Sequence, residues 1–249
     1  MRSYKAGLSR IAVLLSVLVA AQSYGAVSLD RTRVIFEGGQ KSVSLVVSND
    51  NKQLPYLAQG WIEDSQGKKI QQPLTALPPV QRIEPGSKSQ VKIETLPSVG
   101  ALPQDRETLF YFNLREIPPR SERPNTLQLA LQTKVKLFYR PQALVPKRNA
   151  VPFQEQLTLT RVGDRYQVNN PTPYFVTLID GRNAARNSAI NDFKPLMIAP
   201  KSKGVLEVSA EALGSRPLLT YINDYGARPQ LQFTCSGDHC KATAVRPAG

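Results

Sequence analysis

The feature that most constrains this chain is its punctuation. Short runs alternate apolar and polar residues, and each run stops at residues that favour turns. Ser42-Val43-Ser44-Leu45-Val46-Val47 halts at Asn49-Asp50-Asn51, and Tyr56 to Ile62 halts at Glu63-Asp64-Ser65-Gln66-Gly67. Val80-Gln81-Arg82-Ile83 meets Glu84-Pro85-Gly86, followed by Ser89 to Ile93 and Leu109 to Leu114. A period of two is that of a half-buried β-strand, and Gly, Pro, Asn and Asp supply the backbone angles of tight turns. With Val27 to Phe36 and Asn125 to Pro141 included, there are about seven strands in about 115 residues, the density of an immunoglobulin-like sandwich. The 20 prolines argue against an α-rich chain. This half holds no cysteine, so packing alone must hold its core, and Trp61 is expected within it.

Between Pro141 and Pro152 the pattern lapses around Lys147-Arg148-Asn149, which reads as a linker or corner. Strand-like runs then resume at 156–161, 166–168, 174–179, 205–208, 218–222 and 231–234. The expectation is an all-β protein of two domains, 26–143 and 144–249. Cys235 and Cys240, spaced within TCSGDHC, are expected to form a local disulfide. The alternative is a zinc site with His239, but two cysteines and one histidine leave a tetrahedral structural site one ligand short.

Arg2, Lys5 and Arg10 precede an apolar run from Ile11 to Ala21, and Ser23 and Gly25 are small residues before Ala26. That is the pattern of an export signal cleaved after residue 25, too short to span a bilayer. The chain is therefore expected to be exported, to a compartment where a disulfide is stable. The chain carries 32 Lys+Arg against 19 Asp+Glu. These cations are scattered, without a basic block or a basic amphipathic helix, so neither a nucleic-acid partner nor stable membrane insertion is expected.

Nothing nominates an active site. G-x-S-x-G, H-E-x-x-H, the phosphate-binding loop and G-x-G-x-x-G are all missing, and the single histidine sits inside the cysteine loop. No enzyme activity, metal or cofactor is expected, and the chain reads as a binder.

The stretch LQLALQTKVKLFYRP sharpens that reading. Leu127, Leu129 and Leu131 share one parity of a strand, while Lys136 has the other. Either a bulge intervenes near Thr133, or the two sets serve different faces of one strand.

Taken together, AVSLDRTRVIF, SNDNKQLPYLAQGWIE, PPVQRIEPG, LPQDRETLFYFNLREIPPRSE, LQLALQTKVKLFYRP, NPTPYFVTL and YINDYGARPQLQF resemble the periplasmic pilus chaperones of the PapD type, in order and over both halves. The resemblance implies two immunoglobulin-like sandwiches set as an L with a cleft between them. It implies that Leu127, Leu129 and Leu131 form an edge strand lent to an incomplete pilus subunit, and that Arg33 and Lys136 bind that subunit's C-terminal carboxylate. It further implies that Glu107, Arg140 and Asp224 form a buried charged set at the domain junction, and that an outer-membrane usher receives the loaded subunit. Self-association of the unloaded chaperone through the same edge is also expected. The connection Pro118-PRSERPN is short, which resembles the subfamily building thick, rod-like pili. The alternative to a chaperone is a self-assembling or adhesive exported β-protein.

Overall fold

The computed structural model describes residues 25–186 and 188–245. Of the expected export signal, only Gly25 falls among them. The first half comprises β1 (Val27–Leu29), β2 (Arg33–Glu37), β3 (Ser42–Asn49), β4 (Tyr56–Asp64), β5 (Lys69–Ile70), β6 (Leu74–Leu77), β7 (Val80–Ile83), β8 (Lys88–Thr95), β9 (Thr108–Ile117) and β10 (Gln132–Arg140). Two sheets result, one ordered β1-β3-β8-β6 and the other β2-β10-β9-β4-β5, with β7 also on β4. Alternation decides the inner faces. Leu45 and Val47 of β3, Val91 and Ile93 of β8, Phe110 and Phe112 of β9, and Val135 and Leu137 of β10 pack into one core. A buried polar residue, Asn49, closes one end by donating to the carbonyls of Leu54 and Ile83, which offsets its desolvation.

Trp61 departs from expectation. The register of β4 turns Ala58 and Ile62 inward, and a Cβ at Gly60 would lie 3.4 Å from the Phe112 ring, which fills the neighbouring core space. Trp61 therefore faces outward. Its indole N–H donates to Glu63, and Lys69 and Arg115 lie over its ring.

The second half comprises β11 (Thr158–Val162), β12 (Arg165–Asn170), β13 (Val176–Asn183), β14 (Ser188–Ala189), β15 (Leu196–Ile198), β16 (Ser202–Ser209), α1 (Ala210–Leu213), β17 (Pro217–Tyr221), β18 (Gln230–Ser236) and β19 (His239–Ala244). One ladder, β14-β13-β17-β18-β19-β11-β12-β16 with β15 on β13, wraps around a separate core that includes Leu159, Val168, Leu178, Leu219 and Phe233. The sequence reading missed β19, whose Lys241-Ala242-Thr243-Ala244 lacks large alternating side chains. Cys235 and Cys240 are bonded across the β18–β19 pair, so neither is free to hold a metal.

Strand β10 joins the two halves. Val135, Leu137 and Tyr139 enter the first core, while Phe138 and Arg140, of opposite parity, are also buried. Phe138 meets Phe175 of the second half, ring centroids 5.4 Å apart. This end of β10 is thus buried on both faces, and its other end is not.

Candidate binding site

The open end of β10 follows from how the chain switches sheets. Strand β1 pairs with β3 in one sheet, and after Asp30-Arg31-Thr32 the chain enters the other sheet as β2. Pairing of β2 with β10 is parallel and begins only at Arg33↔Lys136. Before that point β10 has β9 on one side alone. The Glu116 N–H bonds the Leu131 carbonyl, and antiparallel bonding alternates. The backbone groups of Gln132 and Lys134 therefore turn away from β9 into the empty lane. An unpaired edge of this kind is a template for another strand.

The leucines lie along that edge. Leu127, Leu129 and Leu131 are 84%, 67% and 45% exposed. The strand expected over Asn125 to Pro141 is thus a paired ladder only from Gln132 onward, because β9 ends at Ile117 and nothing among the described residues pairs with the first part. The β10–β9 register runs without a shift from Gln132↔Arg115 to Tyr139↔Thr108. No bulge intervenes near Thr133: Leu131 shares its parity with the core-facing Val135, and Lys136 has the other. The edge and the cleft wall are different faces of one strand.

Where the empty lane ends, two cations meet. An Arg33 N–H donates to the Ile222 carbonyl at 3.2 Å, and the Lys136 ammonium to Thr177 Oγ1 at 3.5 Å. Ile222 and Thr177 are themselves bonded through the backbone, so both cations reach one spot on the second half. Beside Arg33 is a cavity of about 350 Å³ lined also by Asp30, Thr32 and Tyr225. Neither cation forms an ion pair among the described residues. The Arg33 Nε is buried without a hydrogen-bond partner. Burial pushes the Lys136 ammonium below its ordinary pKa, and the neighbouring Arg33 charge adds to that. Burial likewise lowers Arg33, opposed by Asp224 and Glu107.

Those two acids do not neutralise Arg33, because Arg140 engages both. Arg140 Nε donates to Glu107 at 2.8 Å, and its two terminal nitrogens reach Asp224 at 2.8 and 3.1 Å. Glu107 also accepts the Phe175 N–H at 2.7 Å. The side chains of Arg140 and Glu107 are each 2% exposed. Burial opposes the Arg140 charge, but the hydrogen bonds and charge of Asp224 and the charge of Glu107 overcome it and raise the guanidinium above its ordinary pKa. Tyr174 and Phe153 lie against the guanidinium, and the Tyr174 hydroxyl donates to the Leu144 carbonyl at 2.6 Å. The expected interdomain set is brought together, with an aromatic box that the sequence reading missed. It also missed Thr177 and Ile222. All but Phe153 sit inside the quoted stretches NPTPYFVTL and YINDYG, but only the folded chain assigns them partners.

Two desolvated cations that form no ion pair among the described residues, at the end of an open strand lane, suit a carboxylate at the end of an extended chain. Arginine offers a planar fork and lysine a compact charge.

Comparison with known proteins gives the chain its family. Residues 26–145 match the family described as "Pili and flagellar-assembly chaperone, PapD N-terminal domain", and residues 152–233 match "Pili assembly chaperone PapD, C-terminal domain". The chain belongs to the PapD family of pilus-assembly chaperones, a family of chaperones and not of enzymes. It is 53% identical over 225 residues to the chaperone protein PapD of Escherichia coli, covering 90% of this chain and 92% of that protein. To the probable fimbrial chaperone YfcS of Escherichia coli K12 it is 47% identical over 239 residues, covering 96% and 94%. Among solved structures, the periplasmic chaperone SfaE superposes with a TM-score of 0.68 at 33% identity, over 84% of this chain and all of that one. SafB, solved in complex with the SafA pilin of Salmonella enterica, belongs to a match with a TM-score of 0.68 at 25% identity, over 90% of this chain and 99% of that one.

Proposed function

We propose that this chain is a periplasmic chaperone that folds pilus subunits by strand addition. A subunit lacking the last strand of its own sandwich would pair with the edge from Leu127 to Val135, as in chaperone–pilin donor-strand complementation. The observation that carries the reading is the empty lane beside β10, ending at Arg33 and Lys136. A strand in that lane running parallel to β10, as β2 does, brings its C-terminal carboxylate against the two cations. Leu127, Leu129 and Leu131 then fill pockets of the subunit. The Glu107–Arg140–Asp224 set fixes the angle between a domain at 26–143 and one at 144–249, and hence the shape of the cleft.

In this reading the loaded subunit passes to an outer-membrane usher, and the short connection from Pro118 to Asn125 supports a role in building rod-like pili. The unloaded protein covers its leucines by self-association. Export through cleavage after Gly25 puts it in the compartment of its relatives. Co-expression with a candidate pilus operon tests the reading. Wild type should yield one-to-one periplasmic complexes with subunits, and Arg33→Ala should lose them. Equal recovery from both proteins would refute carboxylate anchoring.

A further inference from the structure

The side chain of Glu116 has no part in the site above. It lies on the core-facing side of β9 and is 6% exposed. Its Oε2 accepts the Val27 N–H at 2.8 Å, and a Cβ on Gly25 would lie 3.3 Å from that same oxygen. The backbone on both sides of Ala26 therefore closes on one carboxylate oxygen. The Ala26 carbonyl is held by the Asp50 N–H at 2.7 Å. Among the described residues Glu116 pairs with no Lys or Arg. A buried carboxylate lacking a cation is costly to hold.

We propose that this cation is the mature N-terminus, so that Glu116 is a binding site for the α-ammonium of Ala26. Hydrolysis of the Gly25–Ala26 peptide bond by an export-signal protease adds one water. The leader leaves with the new carboxylate, and the Ala26 nitrogen, a neutral amide before, becomes an amine that takes up a proton. The charge thus appears only in the processed chain, one residue from an N–H already bonded to Glu116. The consequence reaches the edge strand, because the Glu116 N–H bonds the Leu131 carbonyl and a Gly25 Cβ would sit 3.4 Å from Leu131 Cδ1. Processing would therefore tie down the root of the leucine row. The inference rests on the export reading of the N-terminus and is independent of what the edge binds.

The test is the titration of the α-amine in the mature full-length protein, labelled by reductive ¹³C-methylation and followed by NMR, after N-terminal sequencing. An unperturbed α-amine titrates at about 7.7–8.0. In wild type the value should be higher by about one unit or more, as for any group with an opposite charge at contact distance. It should fall back in Glu116→Gln and stay raised in Asp50→Asn, which removes the exposed acid nearby. Should Glu116→Gln not fold, wild type lengthened by about four glycines before Ala26 carries the amine past the Gly25 position, which itself lies beside Glu116, and should show the ordinary value. Equal titration in wild type and either the Gln variant or the lengthened protein overturns the proposal. A mature N-terminus other than Ala26 overturns it as well, while leaving the pilus-subunit reading intact.

Discussion

If the leucine row is lent to a partner, affinity should be lost in proportion to what each leucine exposes in the free protein. Truncating a leucine to alanine removes three carbons, about 2.4 kcal/mol at about 0.8 kcal/mol per buried methylene when burial in the complex is complete. Only the part still exposed in the free chain can be gained on binding. Scaling by the exposures of 84%, 67% and 45% gives about 2, 1.6 and 1.1 kcal/mol for Leu127, Leu129 and Leu131. At about 1.4 kcal/mol per decade, these are losses of about thirtyfold, fifteenfold and sixfold in affinity. Folding stability should follow the opposite order. Leu131→Ala forfeits the share already buried, about 1.3 kcal/mol, whereas Leu127→Ala leaves the fold nearly unchanged. The assay pairs dissociation constants for a whole subunit, whose pockets receive the leucines, with urea unfolding of each variant. A flat affinity series, or Leu127→Ala as the most damaging to folding, would refute the reasoning.

Three further outcomes follow from the same geometry. The Lys136 ammonium is held below its ordinary pKa by burial and by Arg33, and a bound carboxylate must raise it. Binding at alkaline pH should therefore take up a proton, and affinity should be full below the pKa of the free protein and be lost as pH rises through that of the complex. Calorimetry in buffers of different ionisation enthalpy measures the uptake, and Lys136→Ala should abolish it. Arg140→Ala leaves Glu107 buried without its cation, a change of the kind that costs about 3–5 kcal/mol. Small-angle scattering should show a broadened distribution of domain angles while both sandwiches keep their circular-dichroism signal. Leu129→Glu should abolish both subunit capture and self-association, read by sedimentation, and a dimer surviving the change would remove the edge strand from its interface.

Much of this architecture is legible in the residues, and the exceptions share a cause. Alternation reports which residues share a face, as Leu45 and Val47 of β3 and Val135 and Leu137 of β10 do in the first core. It does not report what lies across from a face. Trp61 looks like core by its chemistry, yet Phe112 already fills the space beside Gly60. Similarly, the leucines and lysines of β10 form one continuous pattern. Only the late start of β2, opposite Lys136, divides that strand into a paired half and an open half. The cleft partners Thr177 and Ile222 lie more than forty residues from the cations they meet, beyond the reach of any local pattern. Glu107, Arg140 and Asp224 were marked by family resemblance alone, since each by itself looks like a solvated charge.

The central claim is that the lane beside β10 receives a strand whose free carboxylate stops at Arg33 and Lys136. Its most direct test compares a subunit's C-terminal strand peptide as free acid and as carboxamide, against wild type and Arg33→Ala. A desolvated charge contact of this kind is worth about 2–5 kcal/mol, so wild type should prefer the acid by at least about thirtyfold. Arg33→Ala should bring the two peptides close to parity. Equal binding of acid and amide by wild type would contradict the account.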